Sequence, residues 1–263
     1  MEERLTPYTK IVDKRIPDRD AKILVVAGGK NDSLVFKSLG FENVTISNLD
    51  DRMTGDEFLP YRWSFQDAEN LSFENEEFDF VVIHAALHHC YSPHRALLEM
   101  YRVAKRGILF FEARDSFVMN LVLKLGLTQS YEHAAVYYND CKYGGVQNTD
   151  IPNFVYRWTE REIEKTINCY SPFAKHHFSY SYYHDKPRVL ELRKKSIFKN
   201  LLVTLLVPGY YIFTRIFPKQ QNLFACYVEK PNMDREHFEW LTKVDGKFIF
   251  NKSWGDNYYK SKI

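Results

Sequence analysis

The feature that most constrains the fold is a short apolar strand that runs into a glycine turn and then into the start of a helix. Ile23–Val26 is a continuous aliphatic run, which favours a central parallel strand covered on both faces. Gly28 and Gly29 follow it and allow a sharp turn with a close approach to a ligand. Helix-capping residue types come next, at 31–33. Together these parts are typical of a nucleotide-type ligand site, and a plain strand-to-helix turn is the alternative.

Further strands alternate with helices after this opening unit. The predicted strands are 44–47, 61–64, 78–84 and 107–112, and the predicted helices are 32–39 and one that begins at Pro93. Strands and helices that alternate in this way indicate an α/β fold with a doubly wound, Rossmann-like, mostly parallel sheet.

Composition narrows the class of protein. The 263 residues fit one large α/β domain with decorations, and a net charge of +2 gives no argument for nucleic-acid binding. The four cysteines show no paired spacing, which favours reduced thiols in a cytoplasmic protein. We also see no apolar segment typical of a signal peptide at the start of the sequence.

Acidic residues follow the second and third predicted strands, where a nucleoside would be bound. Asp50 lies 21 residues after Gly29, the usual distance for a residue that accepts hydrogen bonds from ribose hydroxyls. Asn48 lies two residues earlier and shares its strand face, so either residue could have this role. Asp67, after the third strand, could hold the exocyclic amine of a purine or could simply form a turn.

Four blocks of the sequence carry a resemblance to a known family. They are Asp67–Phe73, Phe78–Val82, Leu87–His89 and Ala96–Val103. Their order and spacing resemble class I S-adenosylmethionine-dependent methyltransferases of type 11. The resemblance implies a seven-stranded sheet with sixth and seventh strands at 173–183 and 222–229, the seventh antiparallel. The sequence departs from the family pattern at Val25, Ala27 and Asn31.

The resemblance also implies the cofactor, S-adenosyl-L-methionine, and the residues around it. The glycine turn would cradle the methionine end, the ribose would lie at the end of the second strand, and the adenine would lie after the third. His84, after the fourth strand, would line the methyl-donor side. The implied cofactor-binding residues are Ala27, Gly28, Gly29, Lys30, Asn48, Asp50, Asp67, Ala68 and His84.

Methyl transfer to an alcohol needs a base, and a histidine near its usual pKa is suited to that role. The candidate bases are His84, His88 and His89 after the fourth strand, and His133 beside Glu132. Glu112 and Asp115, at the end of the fifth strand, are candidate bases or metal ligands. The spacing of His84 and His88 resembles a helical zinc pair, but it follows a strand, so no metal is expected.

The stretch 156–159 resembles one found in methyltransferases of polysaccharide gene clusters. Together with the ligand-binding end of the fifth strand, it gives the predicted substrate residues Arg114, Tyr156, Arg157 and Trp158. The predicted function is O-methylation of a sugar hydroxyl in a surface polysaccharide or its lipid-linked precursor. The alternatives are a small lipid or quinone-like acceptor, and a degenerate, non-catalytic binding subunit.

The predicted domain organisation has three parts. Residues 1–21 are a lead-in, 22–231 form the methyltransferase domain with a lid-like region at 117–160, and 232–263 are an appendage. The appendage is predicted to contain a helix at 236–244 and a strand at 247–250, and it could form a homodimer.

An apolar insertion at 184–221 interrupts the predicted domain. We interpret it as a buried helical hairpin over the active site, broken at Pro208-Gly209, or as a docking element. In the second reading, 188–217 contacts the inner membrane face through its basic and apolar residues.

Overall fold

The computed structural model describes residues 5–53, 55–184, 197–232 and 236–260. The strands of the main sheet are β1 (Ile23–Val26), β2 (Val44–Asn48), β3 (Arg62–Phe65), β4 (Phe78–His84), β5 (Ala104–Ala113), β6 (His177–Tyr183) and β7 (Leu223–Glu229). The helices are α1 (Leu5–Arg15), α2 (Lys30–Ser38), α3 (Pro93–Val103), α4 (Phe117–Lys124), α5 (His133–Tyr137), α6 (Glu160–Tyr170), α7 (Ile197–Ile216) and α8 (Lys252–Lys260). A separate two-stranded sheet consists of β8 (Leu241–Val244) and β9 (Lys247–Phe250).

The main sheet has the order β3-β2-β1-β4-β5-β7-β6. Strands β1 to β5 are parallel, whereas β7 pairs antiparallel with both β5 and β6. The predicted fold, with its antiparallel seventh strand, is confirmed. The strand order reverses between β1 and β4, and in open α/β sheets ligands bind in the crevice at this point, beyond the carboxyl ends of the strands.

Strand β1 is apolar throughout because both of its faces are buried. Leu24 and Val26 face a cluster that includes residues of α3 and α6, and Ile23 and Val25 face one that includes residues of α1 and α2. Each side chain points to the opposite face from the next, so a strand between two helical layers needs an apolar residue at every position.

The predicted helix at 236–244 is wrong, because part of this stretch belongs to a hairpin. Strands β8 and β9 pair antiparallel across Asp245 and Gly246, whose φ angles are 48° and 77°. Asp-Gly is a strong signal for a two-residue hairpin turn, since both central residues need a positive φ. The predicted strand at 247–250 is present as β9.

The predicted helical hairpin in the insertion is also wrong. Helix α7 runs from Ile197 to Ile216 and contains Pro208. A proline removes one helical hydrogen bond, but it does not force the chain to reverse. The helix has large exposed apolar side chains, which include Ile197, Leu201, Leu205, Ile212 and Ile216. Residues 185–196, which contain much of the predicted basic collar, lie outside the described part of the chain.

A search of the described residues finds no helix long and apolar enough to cross a membrane.

Candidate active site

The glycine turn after β1 is fixed by hydrogen bonds at the carboxyl edge of the sheet. The amide of Gly28 donates to the carbonyl of Ser47 over 2.8 Å, and the Asn48 side chain donates to the carbonyl of Gly28 over 2.9 Å. The amide of Gly29 donates to Asp32 Oδ2 over 2.9 Å. Ala27 has a φ of 50°, the left-handed region that favours glycine, where the family pattern has one.

Tyr8 of α1 covers this turn and was not predicted as a site residue. Its side chain is 1% exposed, and its hydroxyl donates to Asp32 Oδ1 over 2.8 Å. Its ring stacks on His84 with a centroid distance of 4.3 Å. Burial raises the pKa of Asp32. The lead-in helix therefore closes one side of the site, and Tyr8 connects the glycine turn to the end of β4.

The two predicted ribose residues lie together at the end of β2. Asn48 Oδ1 accepts from the amide of Asp50 over 3.1 Å. Asp50 forms a bidentate ion pair with Arg52, with distances of 2.8 and 2.6 Å, and hydrogen bonding from this side chain lowers the pKa of Asp50. The Arg52 guanidinium lies over the ring of Tyr143, 3.9 Å from its centroid. Which of the two binds ribose stays a prediction.

The predicted adenine residues lie in the turn after β3. Asp67 Oδ1 accepts from the amide of Glu69 over 2.9 Å, and Ala68 is buried. Gln147 lies within 3.5 Å of Asp67 Oδ1 and also donates to Glu69. Residues 143–147 thus contact the ends of β2 and β3 from outside the sheet. Lys30, the last residue of the predicted cradle, is largely exposed and pairs with Glu57 over 3.5 Å.

The loop at 144–151 has a defined conformation that depends on Gly145. The amide of Gly145 donates to the carbonyl of Thr149, and the amide of Val146 donates to the carbonyl of Ile151, each over 2.8 Å. A Cβ atom on Gly145 would lie 1.9 Å from the Ile151 carbonyl oxygen. Any other residue would therefore open this loop.

A cluster of two histidines and two carboxylates lies after β4. Glu112, 1% exposed, accepts from the amide of Leu87 and contacts Nδ1 of His88, both at 2.7 Å. Nε2 of His88 lies 3.3 Å from Glu132 Oε2, and Nε2 of His89 lies 3.5 Å from the same oxygen. Glu132 comes from the predicted lid-like region, just before α5.

The charges of this cluster limit which residue can act as a base. Burial alone would lower the pKa of His88, but Glu112 and Glu132 outweigh it and raise that pKa to about 10. The neighbouring His88 lowers the pKa of Glu132 to about 2, against the effect of burial. Burial, followed by the charge of His88, lowers the pKa of His89. Without a metal ion, the raised pKa favours the imidazolium form of His88, and the lowered pKa favours the neutral ring of His89.

The other two predicted catalytic residues lie in different surroundings. His133 is exposed, and its neighbour Glu132 is the one that reaches the histidine cluster. Asp115 accepts a hydrogen bond from Asn120 over 3.0 Å. Glu132 and His133 are adjacent in the sequence, and the fold determines which of the two faces the histidine cluster.

Two of the predicted substrate residues are largely removed from solvent. Arg114 is 7% exposed and forms a bidentate ion pair with Glu160, at 2.9 and 2.8 Å. Trp158 has no exposed surface, and its ring contacts that of Phe110. Arg157 donates to the carbonyls of Val155 and Gln129. These side chains support the wall of the site in this structure.

Tyr156, the remaining predicted substrate residue, lines a cavity of about 270 Å³. The cavity lies between the start of α3 and the segment 146–156, and its lining residues include His88, Tyr91, Asn153, Phe154 and Tyr156. Both polar side-chain atoms of Asn153 are buried, and neither meets hydrogen-bond geometry with a partner among the described residues. A small cavity with aromatic walls and an unpaired amide beside a histidine cluster is suited to a polar acceptor group.

Comparison with known proteins finds a domain model that matches part of the chain. Residues 28–111 match the model of a methyltransferase domain, which spans the glycine turn through β5. No curated protein matches the chain at a significant level.

Solved structures with the same fold are numerous and distant in sequence. The PH0226 protein of Pyrococcus horikoshii OT3 matches with a TM-score of 0.52 and 13% identity, over 87% of this chain and 90% of that one. Magnesium protoporphyrin IX methyltransferase of Synechocystis PCC 6803, with bound SAH, matches with a TM-score of 0.50 and 10% identity, over 87% and 83%. The [4+2]-cyclase SpnF matches with a TM-score of 0.51 and 15% identity, over 86% and 81%. At these identities the likeness describes the fold.

Proposed function

We propose, from the premise that this chain is an S-adenosylmethionine-dependent methyltransferase, that it methylates a sugar hydroxyl. The predicted enzyme class and cofactor are confirmed by the methyltransferase domain at 28–111 on the matching fold. The acceptor belongs to a surface polysaccharide or its lipid-linked precursor. The observation that carries this proposal is the small cavity beside the histidine cluster, with its aromatic walls and buried, unpaired Asn153 amide.

Different residues of the crevice would bind different parts of the cofactor. The amides and carbonyls at Ala27–Lys30 would hold its methionine end, Asn48 and Asp50 would hold its ribose, and Asp67 with Ala68 would hold its adenine. Tyr8 contacts the glycine turn through Asp32, and Gln147 of the loop at 144–151 contacts Asp67, so these residues lie at the two ends of this crevice. S-adenosylmethionine supplies the methyl group, as a sulfonium, when it is bound.

The acceptor oxygen must lose a proton as it gains the methyl group. The acceptor oxygen would form a bond to the methyl carbon as the carbon–sulfur bond breaks, and the electron pair of that bond would remain on the sulfur. Without a bound metal ion, Nε2 of His89 can accept this proton, since burial and the charge of His88 lower the pKa of His89. His88, held as an imidazolium by Glu112 and Glu132, orients the end of β4 and balances their charge.

The size and lining of the cavity support a sugar rather than a large planar acceptor. A volume of about 270 Å³ is slightly below the usual range of small-molecule sites, about 300–1,000 Å³. Tyr156 and Phe154 offer apolar ring faces, and Asn153 offers both a donor and an acceptor, which matches the alternating surfaces of a sugar ring. Burying both Asn153 atoms unpaired costs free energy, and a bound hydroxyl would recover it.

The exposed apolar side of α7 supports the lipid-linked form of the acceptor. Ile197, Leu201, Leu205, Ile212 and Ile216 are each at least 60% exposed. An apolar helical face of this kind, near exposed Arg215 and Lys219, fits a membrane surface. Anionic lipid headgroups add about 1 kcal/mol for each nearby basic residue.

Acceptor class is tested by methyl transfer from labelled S-adenosylmethionine to a panel. The panel contains free glycosides, sugar nucleotides, a lipid-linked saccharide and a quinol. We expect label on a sugar, with Asn153→Ala and Tyr156→Ala each lowering the rate at least tenfold. Label on the quinol alone would replace the sugar proposal, and cofactor binding without transfer to any glycan would favour the non-catalytic alternative.

Membrane contact is tested by sedimentation with anionic vesicles at low salt. We expect the wild-type protein to sediment and Leu201→Ser/Leu205→Ser to stay in the supernatant with an unchanged circular dichroism spectrum. The matched control is Leu34→Ser, because Leu34 is a leucine with 55% exposure on a different helix. Wild-type protein that remains in the supernatant would refute the docking proposal, while leaving the acceptor panel as a separate test.

A further inference from the structure

We propose that His88, His89 and Glu132 form a binding site for one divalent transition-metal ion of the zinc class. One ligand atom from each residue lies within 4.8 Å of the other two. Imidazole nitrogen and carboxylate oxygen are the donors that Zn²⁺ takes in His₂Glu sites, which leave a further position open for water or substrate.

Two of the three separations between the ligand atoms are compatible with a bound zinc ion. Nε2 of His88 and Nε2 of His89 lie 3.3 and 3.5 Å from Glu132 Oε2. Ligands about 2.0–2.1 Å from a tetrahedral zinc ion are separated by about 3.3–3.4 Å, from the geometry of the tetrahedron. These two separations are therefore those of an edge of a coordination sphere.

Glu132 Oε2 is the unsatisfied atom at the centre of the cluster. It is buried, and no donor in the described protein meets hydrogen-bond geometry with it, although two ring nitrogens lie close by. A buried carboxylate oxygen without a directed donor costs free energy. An ion between the oxygen and the two nitrogens would satisfy all three atoms at once.

The opposite ring nitrogens have the partners that metal-binding histidines need. Nδ1 of His88 lies 2.7 Å from Glu112 Oε2, and Nδ1 of His89 lies 3.3 Å from the carbonyl oxygen of Gly145. A metal-bound histidine commonly donates its other N–H to a carboxylate or a backbone carbonyl, which fixes the ring and its tautomer. Both patterns occur here, on neighbouring residues.

The remainder of the fold holds the third ligand in place. The amide of Glu132 donates to the carbonyl of Asn153 over 3.0 Å, and Tyr131 and Phe154 form an antiparallel bridge beside it. Glu132 thus comes from a paired segment rather than from a free loop. Of the three ligand residues, His88 borders the cavity, which it lines together with Asn153 and Tyr156.

This position gives the ion a role that rests on the proposed function. An acceptor hydroxyl in the cavity could take the open position, and a divalent ion lowers the pKa of an oxygen bound to it. With the ion bound, Nε2 of His88 and Nε2 of His89 are ligands, so His88 is no longer an imidazolium and His89 is no longer the base. The hydroxyl proton would then pass to solvent water before methyl transfer. Ion binding itself does not depend on the identity of the acceptor.

The test uses the full-length protein, treated with a chelator and then freed of it. Zinc is titrated by calorimetry, and cobalt is added to a second sample, because its visible absorption reports four- or five-coordinate nitrogen and oxygen ligands. We expect one zinc ion per chain and intense cobalt bands. His89→Gln and Glu132→Gln should each lower zinc affinity at least a hundredfold, and His133→Gln, the neighbouring exposed histidine, should leave it unchanged.

Glu112→Gln tests the outer partner. We expect zinc affinity to fall about 10- to 100-fold, as for other carboxylates that hold a metal-bound histidine. Circular dichroism spectra and melting temperatures of all variants are compared with those of the wild type. Should Glu112→Gln fail to fold, the wild-type stoichiometry, the cobalt bands and the His89 and Glu132 variants still decide the proposal.

Three results would overturn the site. The first is that the wild type binds no zinc. The second is that cobalt gives six-coordinate bands that the variants do not change. The third is that the wild type and the His89→Gln/Glu132→Gln double variant bind zinc with equal affinity. Methyl transfer without zinc binding would refute the site and leave the proposed function intact. Zinc binding with no methyl transfer to any acceptor would refute the proposed function and leave the site intact.

Discussion

Tyr8→Phe isolates the hydrogen bond between α1 and the glycine turn. The substitution removes one hydroxyl, which donates to Asp32 Oδ1 over 2.8 Å in a place where the Tyr8 side chain is 1% exposed. The ring remains stacked on His84, so no cavity forms. Asp32 keeps its bond from the Gly29 amide but loses its second donor.

The expected loss of unfolding free energy follows from the one hydrogen bond that Asp32 loses. Removing one donor from a buried carboxyl group costs about 1–3 kcal/mol of unfolding free energy. Tyr8→Ala also removes the buried ring, so its cost should rise to about 3–5 kcal/mol. Because Asp32 holds Gly29 in place, the substitution should also weaken binding of the cofactor. We expect Tyr8→Phe to weaken S-adenosylhomocysteine binding about threefold to tenfold.

Urea unfolding gives the first quantity and calorimetric titration with S-adenosylhomocysteine gives the second. The matched control is Tyr138→Phe, because Tyr138 is 81% exposed and should change neither value. A Tyr8→Phe protein with the stability and affinity of the wild type would show that Asp32 does not depend on α1. The lead-in helix would then be a cover without a role in the cofactor site.

Three further changes test other parts of the site and the fold. Asp67→Ala should weaken S-adenosylhomocysteine binding by about 1–3 kcal/mol in a folded protein, measured by calorimetry, and an unchanged affinity would remove the adenine assignment. Gly145→Ala places a Cβ atom 1.9 Å from the Ile151 carbonyl and should make the loop more sensitive to limited proteolysis, whereas Gly209→Ala, with nothing within 4 Å, should not. Burial lowers the pKa of His176 to about 4, below the unfolded value near 6.5, so the unfolded state binds more protons and the unfolding free energy should fall between pH 6.5 and 4. His176→Gln should reduce this fall in urea titrations, and a slope equal to that of the wild type would contradict the cause.

The central sheet could be predicted because its signals are local. Ile23–Val26 and Phe78–His84 are continuous apolar runs between turn residues, and both appear as strands with the predicted bounds. The cap at Thr159 was equally local, since its side chain accepts from the amide of Glu162 and begins α6. Such elements depend on residues within one or two turns of each other.

Other features depended on contacts that no local pattern contains. Tyr8 lies 24 residues before Asp32, and its place over the glycine turn follows from the packing of α1 against α2. Glu132 reaches His88 and His89 only because the paired segments at 131 and 154 turn it inward. Glu132 and His133 are adjacent in the sequence, but Glu132 lies at the histidine cluster and His133 is exposed.

The burial of Arg114 and Trp158 also could not be predicted from their motif. An arginine and a tryptophan near a ligand site are equally suited to contact a substrate or to support a wall. The ion pair from Arg114 to Glu160 joins the end of β5 to the start of α6, which gives both residues a supporting position. The Asp-Gly turn before β9, in contrast, is a local signal for a hairpin. The predicted helix at 236–244 did not take this signal into account.

The pairing of β6 with β7 has a consequence for how the insertion is carried. Tyr183 ends β6, Leu223 begins β7, and the two are direct register partners in the sheet. The segment between Tyr183 and Leu223 therefore connects two neighbouring antiparallel strands, and its two ends lie side by side. Because the entropy of closing a loop grows only slowly with its length, such a loop can lengthen, shorten or be exchanged at little cost to the sheet. The length and sequence of the segment that carries α7 can therefore change while the strands that form the site keep their register.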